Sequence, residues 1–211
     1  MKKVFIRVFA CLMIMMLAVS FTACGSKDAG ENKAEHIVFS RGIVEGHTYT
    51  SKFTGLTLTI PETWSFASDE EIEELMQYTS DFLEDPSKFD KAAEGELMDC
   101  YATSADGMEN MSISYTKGNI LTDLDASIKL SVDTIIDIYE SSGFIVEATE
   151  PEEVQVGGKT FKRVTFTEDL GGVKLIQYGY FAMFNNYLVN ISCTCLEMFK
   201  QPASYFENMF S

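Results

Sequence analysis

Cys193-Thr194-Cys195 is the segment whose residue types come closest to chemistry. A C-x-C pair can ligate a metal or cycle through a disulfide. On a strand, however, Tyr187, Val189, Ile191, Cys193 and Cys195 share one apolar face. Same-face neighbours stand about 6.6–6.8 Å apart along a strand, whereas bridged Cβ atoms lie at about 3.5–4.5 Å, so the pair cannot close on itself. Cys100 shares a face with Met98 and Ala102 by the same alternation. Buried thiols are the expectation for all three. A Cys100–Cys193 or Cys100–Cys195 bridge between strands stays open.

Other chemistry-bearing residues reduce to structure. Gly157-Gly158-Lys159-Thr160 imitates the end of a phosphate loop, but Glu153 stands where that loop requires glycine, and it reads as a hairpin turn. His36 and His47 belong to no H-E-x-x-H pattern and are expected in solvent. Asp69, Glu70 and Glu71 open a helix, where the dipole favours acids. Asp123, Asp125, Asp133 and Asp137 read as caps and a solvated helix face. Trp64, after a proline that stops a strand, reads as core. No catalytic residue, metal site or cofactor is expected, and the ligand stays unknown.

The elements that must position these residues follow from periodicity. Leu56, Leu58 and Ile60 alternate with Thr57 and Thr59 as a half-buried strand stopped at Pro61. Ser68 and Glu71 form a capping box, and Ile72, Leu75, Met76 and Thr79 make the stripe of the helix behind it. Two strands flank a turn at Ala105-Asp106-Gly107, with Met111, Ile113 and Tyr115 alternating against Ser112, Ser114 and Thr116. Leu124, Ile128, Val132, Ile135, Ile136 and Tyr139 describe the longest helix, ending near Gly143. Its polar face carries Ser127, Lys129, Asp133, Asp137 and Glu140. Hairpins at Gly157-Gly158 and Asn185-Asn186 follow, and Pro202 opens a last helix with Tyr205, Phe206, Met209 and Phe210 buried. Tyr178 and Tyr180 lie opposite Gln177, Gly179 and Phe181, which marks a central strand covered on both sides. The sum is one α+β domain with a mostly antiparallel sheet, spanning residues 37–211.

The N-terminus has a different character. Lys2, Lys3 and Arg7 precede an uninterrupted apolar run of 12 residues from Val8 to Val19. That is short of the roughly 20 residues a bilayer span requires, and it fits a secretory signal. An uncleaved anchor, or a secreted chain with a chance cysteine, are the alternatives. The seam Phe21-Thr22-Ala23-Cys24 resembles the lipobox of bacterial lipoproteins, with Phe21 where leucine is usual. The resemblance implies cleavage after Ala23, a signal peptide of residues 1–23, and acylation of Cys24 by diacylglycerol and palmitate-type chains. The protein would then sit on the extracytoplasmic face of the cell membrane, held in the envelope by lipid. Residues 24–36 read as a flexible tether, reaching about 20 Å at 5–6 Å × √n.

Charge narrows the partners. The full chain carries 16 basic and 32 acidic residues, net −16, and losing the three basic residues of the leader makes it −19. Nucleic acid is excluded as a partner, because phosphates demand a basic surface.

The F-x-G…P-x-x-W opening of "FTGLTLTIPETWSF", the central long helix, the meander and the C-terminal aromatic helix resemble the PsbP/Mog1-like domain. That resemblance implies an antiparallel sheet sandwiched by helices, working as an assembly or scaffolding factor without shared catalytic residues. The expected role is therefore a non-catalytic binding or scaffolding domain for an envelope protein or small ligand. An envelope-associated enzyme using acidic residues, or a thiol-redox lipoprotein, are the alternatives.

Overall fold

The computed structural model describes residues 39–82, 96–117 and 123–211; the signal, the tether, Cys24 and His36 lie outside them. Local turn chemistry sets most of the order. Strand β5 (Glu96–Ser104) returns as β6 (Glu109–Lys117) through a turn in which Asp106 accepts from Ser104 Oγ at 2.7 Å and Met108 N at 3.0 Å. β8 (Glu152–Val156) turns into β9 (Lys159–Asp169) at Gly157-Gly158, with φ of 55° and 71°. β10 (Lys174–Phe184) turns into β11 (Tyr187–Leu196) at Asn185-Asn186, with φ of 43° and 70°. Two successive left-handed residues give the turn that matches strand twist, and Gly and Asn adopt them at least cost.

These strands, with β4 (Trp64–Phe66) and β7 (Ile145–Ala148), form a sheet of order β4-β5-β6-β11-β10-β9-β7, and β8 also pairs with β9. Every pairing is antiparallel. β7 and β8 lie end to end along one edge of β9, against Phe166–Asp169 and Lys159–Arg163 respectively. Pro151, which lacks an N–H, marks the break between them, and Thr149 N carries the ladder across by donating to Thr165 O at 2.9 Å.

One face of this sheet packs on a second, smaller sheet of β1 (Ile43–Glu45), β2 (Thr48–Ser51) and β3 (Leu56–Thr59). Leu56, Leu58, Trp64, Ile113, Ile191, Cys193 and Phe206 meet there in the main apolar core. The last helix, α3, is shorter than the sequence suggests: it covers Ala203–Glu207. The chain then extends beside β3, with Thr57 N donating to Ser211 O at 2.8 Å and Ser211 N returning to Thr57 O at 2.9 Å. Phe206 stays fully buried, against Trp64 edge-on at 6.5 Å. Burial of such a ring contributes about 1.5–3 kcal/mol.

The other face carries the two longer helices. α1 (Asp69–Phe82) starts at the expected capping box, with Ser68 N donating to Glu71 Oε2 at 2.8 Å and Glu71 N to Ser68 Oγ at 3.3 Å. It buries Ile72 against Met98 and Tyr101 of β5. α2 (Leu124–Ser141) is capped by Asp123, which accepts from Asp125 N, and lays Ile128, Ile135 and Ile138 onto β9 and β10. Ser127, expected on its polar face, is instead buried and donates to Asp123 O at 2.9 Å. The α+β class and the antiparallel sheet stand. Among the described residues, helices cover one face; on the other, the small sheet shares the cover with short α3.

The Gly157 turn generates a prediction. A Cβ there would sit 2.7 Å from Leu56 Cδ2 and 3.3 Å from the Ser211 backbone, at a φ of 55°. Gly157→Ala is therefore expected to lower stability by about 1–3 kcal/mol, read by urea denaturation. Gly158→Ala has the same backbone penalty but open space around it, and should cost less.

Candidate functional site

Two groups of buried polar residues stand apart from the apolar cores. The first grows from an irregularity in β5. Met98 pairs with Ser114 and Cys100 with Ile113, so Asp99 is an extra residue, a β-bulge. The bulge turns Asp99 toward the small sheet, where it is 6% exposed. It accepts from Arg41 Nε at 3.0 Å, Gly42 N at 2.8 Å and Tyr49 Oη at 2.6 Å. Tyr115 Oη lies 3.0 Å from Tyr49 Oη and 3.2 Å from Ser51 Oγ. Burial, then the neighbouring Tyr115 and Asp99, pushes the Tyr49 phenol far above its usual range, so it remains a donor. Arg41 also reaches Asp69, at 2.8 Å, and these two acids hold its guanidinium above its usual value. A cleft of about 540 Å³ lies beside them, lined by Arg41, Phe66, Ser68, Asp69, Ile72 and Asp99 among others. Three donors satisfy this carboxylate, and the network's visible work is to clamp segments together.

The second group lies on the opposite face of the sheet. Between the apolar contacts of α1 and those of α2, the helix-facing positions of β6 are Asn110, Ser112, Ser114 and Thr116. Those in the middle of β11 are Asn190, Ser192 and Thr194. Register sets them in rows: Gln177, Thr194 and Asn110 across β10, β11 and β6, then Ser192, Ser112 and Tyr101 across β11, β6 and β5. Gln177, Thr194, Asn110, Ser192 and Tyr101 are each at most 1% exposed, as is Ser131 on α2. Side-chain polar atoms of all six have no hydrogen-bond partner among the described residues. A buried polar group left unmatched costs about 1–3 kcal/mol, and folded proteins keep few of them. Five of them lie on one face of the sheet, and Ser131 is on α2.

Around this floor the walls are apolar. On the β10 side the Phe181 and Phe166 rings lean over Gly179, where a Cβ would meet them at 3.1 and 3.5 Å. On the β5 side stand Ile72 and Met98. Glu168 is also buried under α2, beside Tyr139, and burial raises its carboxyl to about 8.

The residues singled out by sequence do not gather at either place. Cys100, Cys193 and Cys195 are free thiols, 2% exposed or less, facing the small sheet. β6 separates Cys100 from both others. Two strand spacings, about 9.5 Å, exceed the roughly 7 Å limit for a bridge, so the Cys100–Cys193 and Cys100–Cys195 pairings are both excluded. Because of the bulge, Cys100 keeps company with Ala102 but not with Met98, which faces α1. Burial pushes all three thiols up. His47 is exposed in the β1–β2 turn. Asp125 pairs with Lys162 and Asp133 with Lys129. Trp64 is core at 3% exposure, and Tyr178 and Tyr180 face the main core as expected. Among the described residues no cluster of three or more His, Cys, Asp or Glu could hold a metal, and no helix is long and apolar enough to cross a membrane.

Sequence reasoning found the alternation of β6 and β11 but not the burial of its polar half. The available signal was that two amphipathic helices needed a sheet face, which their apolar stripes cover on either side of β6 and β11.

No protein-family model matches the sequence, and no curated protein matches it. Solved structures do. The chain superposes on the solution structure of cyanobacterial PsbP (CyanoP) from Synechocystis sp. PCC 6803 with a TM-score of 0.50 at 12% identity, covering 85% of this chain and 97% of that one. A crystal structure of a protein from Bacteroides thetaiotaomicron VPI-5482 aligns with a TM-score of 0.45 at 14% identity, over 78% of this chain and 46% of that one. The first likeness establishes a PsbP-like fold.

Two measurements check these environments. The three domain thiols should resist an aromatic disulfide reagent in native protein and react fully once it is unfolded; prompt native labelling would contradict their burial. For Glu168, the unfolded chain releases the proton near 4.5 and the folded one near 8, so the folded state holds the extra proton between them. Stability therefore falls as pH rises from about 4.5 to 8. Glu168→Gln should remove that part of the slope, leaving the variant more stable than wild type at pH 8 and close to it at pH 4.5.

Proposed function

We propose that this chain is a lipid-anchored, non-catalytic binding domain on the extracytoplasmic face of the cell membrane. The observation that carries binding over catalysis is the floor between α1 and α2, whose described residues offer amides and hydroxyls for hydrogen bonds, with no histidine or acid in either row to activate a hydroxyl. The anchor is supported by the Phe21-Thr22-Ala23-Cys24 seam and the short apolar run before it. Where the tether ends, Phe39 stacks on Tyr187 at 4.8 Å and meets Phe53 and Tyr115 edge-on at 5.2 Å. A leash fastened firmly at the domain end is what a moored binding domain requires.

The alternatives draw less support. A thiol-redox role needs accessible thiols, and the three in the domain are 2% exposed or less. An acid-using enzyme needs two carboxylates free to act; Asp69 and Asp99 do converge beside the cleft, but on Arg41, which both engage, and Asp123, Asp125 and Asp133 are engaged in capping or ion pairing. An envelope protein or a small ligand is the partner class this role implies.

Cys24→Ser tests the anchor. The variant should leave the membrane fraction or keep its leader, and wild-type protein should carry a mass increment for acyl chains on Cys24. A mature wild-type chain with an unmodified Cys24 thiol, or a variant that is processed and fractionates unchanged, would overturn the anchor.

A further inference from the structure

We propose that the floor between α1 and α2 is a binding site for an uncharged polyhydroxylated molecule, of the sugar or cyclitol class. This rests on the binding role above and specifies its ligand. The floor presents two amides, Asn110 and Gln177, and three hydroxyls, on Tyr101, Ser192 and Thr194, all at most 1% exposed. Amides and hydroxyls both donate and accept, so the complementary ligand does the same at several closely spaced positions. Cross-strand neighbours in each row stand about 4.5–5.5 Å apart, and successive rows about 6.6–6.8 Å, a grid on the scale of one sugar ring.

Charge decides between ligand classes. Neither row contains Lys, Arg, His, Asp or Glu. A buried ion without a counter-charge is far more costly than a buried hydroxyl. An anionic or cationic ligand is therefore rejected, and a neutral one accepted. The rings of Phe181 and Phe166 on one side, and Ile72 and Met98 on the other, supply apolar contact for the C–H faces that such a ring presents between its hydroxyls. Since these five groups are almost unexposed, a ligand reaches them only when the packing above the floor opens. Their unmet hydrogen bonds make that opening cheaper than it would be over an apolar floor.

The test is thermal unfolding of the full domain with D-glucose, N-acetyl-D-glucosamine, myo-inositol or D-glucuronate at about 20 mM, on wild type, Thr194→Val and Ser192→Ala. At least one neutral probe is expected to raise the wild-type Tm by about 3 °C or more, glucuronate to leave it unchanged, and both variants to lose the response. Without ligand, the variants should unfold at or above the wild-type Tm, because each removes a polar group that has no partner to lose. Variants at or above wild-type Tm with no response to any neutral probe would overturn the sugar class and leave the binding role standing. Variants well below wild-type Tm with no response would overturn both, since the floor would then be holding the fold together. An equal response to glucose and glucuronate, or one that persists in both variants, would overturn the assignment to this floor.

Discussion

A single carboxylate inserted where β5 has one residue too many organises the approach to this domain. Asp99 takes donors from the segment entering the fold (Arg41 and Gly42) and from β2 (Tyr49), while Arg41 spans to Asp69 at the start of α1. Large sheet, small sheet, helix layer and entering chain therefore meet at one side chain. Removing one partner of such a buried, charge-assisted set leaves the others unmatched, which is costlier than losing an exposed pair. The bulge also explains the faces of β5: Cys100 and Ala102 enter the main core, while Met98 and Tyr101 turn to α1.

The large sheet then presents two contrasting surfaces. Toward the small sheet its side chains are apolar across four central strands, and the thiols belong to that packing. Toward the helices the same strands are apolar only at the flanks, with amides and hydroxyls between. The second surface is where the fold carries its buried unmet hydrogen bonds.

Features governed by near neighbours were legible in the sequence. The Ser68–Glu71 capping box, the Asp123 cap, and the turns at Gly157-Gly158 and Asn185-Asn186 each depend on a few adjacent residues, and each appears where their chemistry places it. Features set by distant partners were not. Nothing adjacent to Asp99 announces a bulge, because its donors lie about fifty residues or more away. β1 and β2 were missed because their pattern becomes meaningful only when β3 pairs with β2. Alternation in β6 and β11 told which residues share a face but not what covers that face, so the floor stayed hidden in plain Ser, Thr and Asn. The PsbP-like arrangement, read from the order of elements, is the part of the long-range picture that did carry through.

Hydrogen exchange on Asp99→Ala tests the central claim most directly. If Asp99 is the clamp, exchange should rise in residues 41–51 and at the start of α1, while the β10–β11 ladder and α2 keep their protection. Uniform loss of protection, or none in residues 41–51, would show that these parts do not depend on that carboxylate.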